Sequence, residues 1–482
     1  MNTTSSRRAF LRQTALATAV VSVSPRLWGQ VAGANSDIRV GVVGFGGRGG
    51  SHISAFSKMP GVRLVALCDC DEKILGAGVK KLEDQGKPVK GYRDYRELLE
   101  KGDVDVVASA TPNHWHSLNV VWACQAGKDV YIEKPISHNV WEGRQAVEAA
   151  RKYRRIVQSG TQSRSSRTGI AAAVEWVRAG NLGKIKVSRA LCYKRRASIG
   201  KVDAPQPIPP EIDYDLWCGP AEKLPLMRKR LHYDWHWVWN TGNGDLGNQG
   251  IHEMDVARWF LGVMELSPRV LSVGGRLGYV DDGETPNTMA ILHDYPGAPL
   301  IFEVRGLPSG RDSQSMDKYK GAGIGIVIEC EGGHVTVPSY SSATAHDKEG
   351  RAIQTWSGEE DHYANFIKAV RSRKTEDLNA DILEGHLSSA LCHTGNISYR
   401  LGAKQDPGAI KEAIRADSGL AEAFDRMAEH LSANGVDLIA ERATLGVPLW
   451  MDPKAERFVG NDAANALLTR AYRAPFVVPE KV

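Results

Sequence analysis

The chain has 482 residues, 42% apolar and 24% charged, a globular balance that excludes wholesale disorder and, at about 150 residues per domain, implies two or three domains. Its 49 glycines follow no three-residue period, which excludes a collagen-like repeat. The formal charge is +5, but Arg7, Arg8, Arg12 and Arg26 supply four of those charges and the residues after 34 carry +1, which argues against bulk electrostatic binding of nucleic acid.

Residues 1–34 read as an address. Ser6-Arg7-Arg8-Ala9-Phe10-Leu11 looks like a twin-arginine signal, an apolar stretch follows over 14–23, and Ala32-Gly33-Ala34 is a small-x-small cleavage pattern. The expected location is periplasmic or otherwise exported, with the twin-arginine machinery as a partner. No later stretch reaches the roughly 18 apolar residues of a spanning helix, so no stable membrane anchor is expected. The seven cysteines, without a C-x-x-C pair, read as small core residues.

Residues 35–160 alternate strand and helix patterns. A strand over 38–43 (IRVGVV) runs into Gly44-Phe45-Gly46-Gly47-Arg48-Gly49, and a helix follows over 50–58. A second strand, 62–68, ends at Asp69, twenty residues past the last glycine. Further strands are predicted over 104–108, 129–132 and 156–159, and helices over 117–126 and 140–155. This is α/β patterning, and it implies a Rossmann doubly wound parallel sheet that binds its ligand beyond the strand ends. Gly44 permits a tight turn, Gly46 lets the backbone approach a pyrophosphate, and Gly49 lets helix pack on strand; Gly47 and Arg48 complete the loop. Asp69 accepts hydrogen bonds from ribose hydroxyls and repels a 2′-phosphate, so the expected cofactor is NAD. Asn113 and Lys134 end later strands on the same edge.

Taken together, GFGGRG with Asp69, then TPNHWH, EKP and GIHEMDVARW, make the sequence over roughly 36–400 resemble the Gfo/Idh/MocA oxidoreductases. The resemblance implies a C-terminal α+β domain, 161–482, with an open, mostly antiparallel sheet, helices on one side, and a role in forming a homo-oligomer. It implies that Lys134 lies at the nicotinamide and touches the substrate hydroxyl, with Glu133 near the cofactor. It implies that Thr111, Pro112, Asn113 and His116 line the ribose and nicotinamide, and that His252 accepts the hydroxyl proton. Gln162 and Arg164 match positions where the family contacts substrate. The residues themselves agree: the Lys134 charge suits a developing alkoxide, and a histidine suits general-base work. One departure stands out. Sugar dehydrogenases of the family carry aspartate four residues before the histidine, whereas this chain has Asn248, which orients a hydroxyl but accepts no proton. That leaves Asp245 or Asp255 to compensate.

In the second domain, strands are predicted over 186–193, 270–273, 289–293, 300–304 and 325–330, and helices over 362–401. Residues 402–482 read as a helical extension long enough to wrap a partner. Two loops, 201–210 (KVDAPQPIPP) and 306–321, are expected to border a substrate cleft. The run 233–240 (YDWHWVWN) has a period of two. It reads either as a packed strand or as a sugar-binding face of Trp235 with His236 and Asn240. Tyr193 and Lys194, at a strand end, are further substrate candidates. No metal site is expected, since His114 and His116 are too close for a helical ligand pair and no H-E-x-x-H occurs.

These readings converge on an exported NAD(H)-dependent oxidoreductase acting on a hydroxyl of a sugar, polyol or glycoside, with Lys134, His252, Asn248 and Asp255 as its catalytic set. A periplasm offers no obvious pool of free NAD, so the cofactor is expected to be tightly held. Two alternatives stand beside this: redox-neutral glycoside cleavage through a keto-sugar, and a non-catalytic sugar-binding protein that uses NAD as a scaffold.

Overall fold

The computed structural model describes residues 37–482. The expected export signal and cleavage pattern lie outside the described residues.

The apolar runs of the first domain form six parallel strands: β1 Ile38–Val43, β2 Val62–Cys68, β3 Lys90–Tyr92, β4 Val106–Ser109, β5 Asp129–Ile132 and β6 Val157–Ser159. Their order is β3-β2-β1-β4-β5-β6, which reverses direction between β1 and β4 and opens a crevice at the strand ends there. Helices α1 Gly49–Phe56, α2 Glu72–Asp84, α3 Tyr95–Lys101, α4 His116–Gln125 and α5 Val140–Lys152 connect the strands. Strands covered on both faces read as continuous apolar runs, which is why β1, β2 and β5 are visible in the sequence. The α2 helix is capped by Asp71, whose carboxylate accepts from the Lys73 and Ile74 N–H groups.

The second domain is built on a twelve-stranded mixed sheet. Its central part runs β14 Ala352–Ser357, β13 Ser342–Asp347, β12 Gly333–Val337, β11 Ile324–Cys330, β7 Ile185–Tyr193, β10 Leu300–Arg305, β9 Thr288–His293 and β8 Arg269–Gly275. The β7–β10 pair is parallel, and the other pairs of this series are antiparallel. Helices α6 Ala172–Arg178, α7 Ile251–Leu261 and α9 Ile382–Arg400 cover one face, where Ile251, Met254 and Phe260 meet Ile291, Phe302 and Leu391. Between them in sequence, α8 His362–Ser372 packs elsewhere. Its Phe366, Ile367 and Val370 join Val40, Phe56 and Tyr131 in the core of the first domain, although sequence places 362–372 with the second.

Two expectations need correction here. Helices lie on both faces of the second sheet, not one. The extension after residue 402 folds back as α10 Pro407–Ile414 and α11 Ser418–Ala433, burying Ile410, Leu420, Phe424 and Leu431 against Leu271, Leu292 and Ile301. Alternate residues of β8, β9 and β10 are apolar toward both faces, so both faces need cover. The run 233–240 is not a strand: Leu231–Asp234 and Trp235–Trp237 are consecutive helical turns. That geometry brings Leu231 and Trp235, four residues apart, into one apolar cluster with Trp217.

Candidate active site

A cavity of about 500 Å³ opens at the carboxyl ends of β1, β2, β4 and β5. Its floor is the glycine loop. Gly44 has φ +71°, and a side chain there would meet the Thr111 backbone at 2.9 Å. At Gly46 it would meet Ile74 at 2.8 Å, and at Gly49 it would lie 2.2 Å from the Gly44 carbonyl oxygen. Gly47 is open. Gly49→Ala is therefore expected to displace the loop and lower NADH affinity about ten-fold or more with the fold intact, read by fluorescence titration.

Asp69 lines the far end of the cavity. Its carboxylate accepts from the backbone N–H of Phe45 and of Asp71, both at 3.1 Å, while burial pushes its pKa upward. Thr111, Pro112, Asn113 and His116 line the same cavity. The ring nitrogens of His116 face the carbonyls of Pro135 (2.5 Å) and Thr111 (2.7 Å). Burial lowers its pKa, and a neutral ring donates to one of the two.

Glu133 and Lys134 follow β5. Burial alone would raise the Glu133 carboxyl, but His52, Arg48 and Lys134 together hold it at about 2. Arg48 Nε donates to Glu133 Oε1 at 2.9 Å, and His52 Nε2 lies 3.5 Å from the same oxygen. Burial holds His52 itself at about 4, so Arg48 and Lys134 supply the positive charge at neutral pH. The Lys134 ammonium donates to the main-chain carbonyl of Asn248, and burial lowers its pKa.

Asn248 belongs to a π-helical turn, Leu246–Gly250, that leads into α7. Its side chain lines the cavity, and its amide Nδ2 is buried without a partner. His252, in the first turn of α7, lies behind Asn248 and is not itself among the residues lining the cavity; it is buried, with Nδ1 unpartnered and its ring 4.8 Å from that of Tyr340. Burial, then the Lys134 charge, push its pKa well below the ordinary histidine range, so the ring is neutral.

Beside His252 the structure gathers Lys194, a candidate from the sequence, with Gln249, Glu253 and Tyr340, which sequence reasoning overlooked. Gln249 donates to Glu253 Oε1 at 3.1 Å and to the Tyr340 hydroxyl at 2.9 Å, and accepts from Lys194 Nζ at 2.7 Å. Burial raises Glu253 to about 8 from its usual 4.5, against the pull of Lys134 and Lys194. The folded state thus prefers the protonated form. Ionising Glu253 costs stability progressively as pH climbs from about 4.5 to about 8 and no further above that. Glu253→Gln is expected to gain in melting temperature over the parent, and the gain should widen between pH 5 and pH 8; a gap independent of pH would refute the assignment.

Several candidates lie elsewhere. Arg164 and Asp255 do not line the cavity but pair with each other. Asp255 takes Arg164 Nε at 2.8 Å and Ser388 Oγ at 2.7 Å, and Arg258 lies 3.7 Å away. Tyr193 is also removed from the cavity, donating to Glu303 at 2.7 Å and accepting from Arg426 at 3.0 Å. Asp245 is bound by Arg196 Nε at 2.9 Å. Gln162 lies beside Tyr131, outside the cavity lining. Neither the 201–210 loop nor the 306–321 loop lines the cavity: Gln206 binds the Leu226 carbonyl, and Tyr319 binds Glu329. Trp235 and His236 do line it, stacked 3.6 Å apart, whereas Asn240 holds Glu222 and Arg470.

Residues 211–236 roof the cavity. The Glu72 N–H donates to the Glu211 carbonyl and the Asp213 N–H to the Cys70 carbonyl, both at 3.0 Å, and His232 Nε2 is 3.0 Å from Asp71. On the other side, Trp115 Nε1 donates to the Leu216 carbonyl at 3.0 Å, and Arg473 from the tail to Asp215 at 2.7 Å. Leu216, Trp217 and His232 line the roof. Among the described residues no group of three or more His, Cys, Asp and Glu is placed to hold a metal, and no helix is long and apolar enough to cross a membrane.

Two family models match this architecture: "Oxidoreductase family, NAD-binding Rossmann fold" over residues 38–161, and "Oxidoreductase family, C-terminal alpha/beta domain" over residues 168–292. The chain carries the two Gfo/Idh/MocA oxidoreductase domains. Its cofactor is NAD, and the Gfo/Idh/MocA cofactor domain here fits that group: the loop has no room for side chains at Gly44, Gly46 and Gly49, and Asp69 closes the far end. Among curated proteins, the "Glycosyl hydrolase family 109 protein" of Shewanella pealeana is 30% identical over 136 residues, 27% of this chain and 30% of that protein. The chain thus aligns with less than a third of that relative's length. Among solved structures, the WlbA dehydrogenase from Bordetella pertussis in complex with NADH and UDP-GlcNAcA has a TM-score of 0.54 at 21% identity, covering 74% of this chain and 94% of that one. A levoglucosan dehydrogenase in complex with NADH and levoglucosan has a TM-score of 0.55 at 17% identity, covering 74% and 95%. These two likenesses are of fold.

Proposed function

We propose that this chain is an exported, homo-oligomeric NAD-dependent oxidoreductase that oxidises a hydroxyl-bearing carbon of a sugar, polyol or glycoside. The observation that carries the reading is the half-buried Lys134 ammonium at the cavity wall, anchored on the carbonyl of Asn248, four residues before the neutral His252. When bound, the nicotinamide supplies the hydride acceptor. Lys134, desolvated, stabilises negative charge growing on the substrate oxygen. His252 accepts the hydroxyl proton, for which its neutral ring is already poised. The free Asn248 amide donates to a neighbouring hydroxyl, and the stacked Trp235–His236 pair offers a flat face to the ring.

The roof over 70–72 supports a cofactor that stays bound from cycle to cycle, because its release requires opening main-chain hydrogen bonds as well as the His232 contact. A retained cofactor must return to its starting redox state each cycle. Transfer between two sugars does this. So does glycoside cleavage, in which transient oxidation acidifies the neighbouring C–H, that proton and the leaving group are eliminated, water adds to the resulting unsaturated keto-sugar, and the ketone is reduced again. The family 109 relatives favour the second route as the alternative reading.

The test is the near-ultraviolet absorbance of the purified protein with no cofactor added, mixed with a panel of sugars and glycosides and followed by product analysis. Reduction of bound NAD, or conversion of a sugar with NAD restored, is the expected result. A bound nicotinamide that changes with no ligand overturns the reading in favour of a scaffold role.

A further inference from the structure

A second cavity, of about 390 Å³, lies behind the cofactor site. The two are divided by one side-chain pair: Asn113, in the wall of the first, donates at 2.9 Å to Asn243, in the wall of the second. The second cavity takes His393, Asn396 and Arg400 from α9 and Arg470 from the C-terminal tail. None of these groups serves the site already described.

Its lining carries two arginines, Arg400 and Arg470, and one acid, Glu222. Arg470 donates to neutral groups, the Asn240 carbonyl at 2.8 Å and Asn240 Oδ1 at 2.6 Å, and faces His138 Nδ1 at 3.3 Å. Arg400 lies over the Trp239 ring, 5.2 Å from its centroid. Burial lowers the Arg400 pKa, with Glu284 opposing and Arg470 adding to it. Three acids lie near but form no ion pair with either arginine: Glu284 accepts the Trp239 N–H at 2.6 Å and acts on Arg400 through space, Glu142 accepts from Asn139 and Tyr472 at 2.9 Å each and feels the Arg470 charge, and Glu222 is exposed at the rim. The α9 wall also has unmet hydrogen-bonding capacity: His393 Nδ1 and Asn396 Oδ1 are buried without partners, on side chains 3% and 4% exposed.

Two guanidinium groups of one polar cleft, neither in ion-pair contact with a carboxylate among the described residues, keep donors to spare. An oxyanion satisfies them, because each arginine offers a fork of donors matched to carboxylate or phosphate. The amides of Asn243 and Asn396 and the Thr469 hydroxyl suit a hydroxylated body. We propose that this cavity binds a hydroxylated anion of monosaccharide size, with its carboxylate or phosphate between Arg400 and Arg470. The proposal is independent of the reaction assigned to the first cavity.

Calorimetric titration of the full chain with glucuronate, glucose 6-phosphate, inorganic phosphate and neutral glucose tests it. At least one sugar anion should bind one per chain and more tightly than inorganic phosphate, with no binding of glucose at this site; the better of the two identifies the anionic group. Arg400→Gln should weaken that binding about ten-fold or more, and so should Thr469→Asp, which adds a negative charge at the rim. Lys134→Ala should leave it unchanged, which separates it from binding in the cofactor cavity. Absence of anion binding overturns the proposal, as does inorganic phosphate binding as tightly as the sugar anions. Unchanged affinity in either variant, shown folded by circular dichroism, also overturns it.

Discussion

Lys134→Ala is expected to lower turnover by 10²- to 10⁴-fold while NADH binding changes little, because the variant removes the half-buried cation that follows β5 and is anchored on the turn before α7. The fold should survive, since Glu133 keeps Arg48 at 2.9 Å as its counter-charge and no carboxylate is stranded. Lys134→Arg restores charge but as a planar, delocalised fork in place of a compact ammonium, so rescue should be poor. Steady-state kinetics with a thermal melt as control decide the matter. Full turnover by Lys134→Ala removes the assignment of Lys134 as the group that polarises the substrate oxygen.

Asp255→Ala has the opposite signature. The Asp255 carboxylate is buried, holds Arg164 through Nε and a second guanidinium nitrogen, and takes a hydrogen bond from Ser388. Arg258 also relies on it, and Glu384 compensates in part, 3.0 Å from Arg164. Removing one partner of such a network leaves buried positive charge uncompensated, at about 3–5 kcal/mol. Urea unfolding of the variant should show that loss, and Asp255→Asn, which keeps hydrogen bonds to Arg164, should show less. A slow but fully stable Asp255→Ala would instead return Asp255 to the catalytic set that the sequence suggested.

The contrast between these two residues shows what is legible in the chain. Lys134 and the glycine loop are local: a strand end, a turn and the next helix start position them within a few residues, so the sequence displays both the groups and their setting. His252 is legible through the run that surrounds it. Asp255, three residues further along the same helix, is not, because a carboxylate that faces a cavity and one that faces a buried arginine look alike until the opposite wall is known. Arg164 and Tyr193 were misplaced for the same reason. The roof escaped notice because its contacts join residues 211–213 and 232 to 70–72, and Tyr340 reaches His252 from the loop between β12 and β13. Short β3, three residues at a sheet edge, has too little length for a period to show.

By itself the sequence determined the cofactor domain and the dinucleotide cradle with its acidic far end, while the pairing of the Lys134 turn with the His252 helix was implied by the family resemblance. The first two depend on backbone conformation and hydrophobic period over a few adjacent residues. Only the tertiary structure decided which polar residues meet in the cavity, that α8 completes the first domain, that the C-terminal extension covers its own sheet, and that two arginines from distant segments share an unclaimed cavity. Those outcomes depend on which faces of remote elements bury each other, and that selection is made by packing and desolvation across the whole chain.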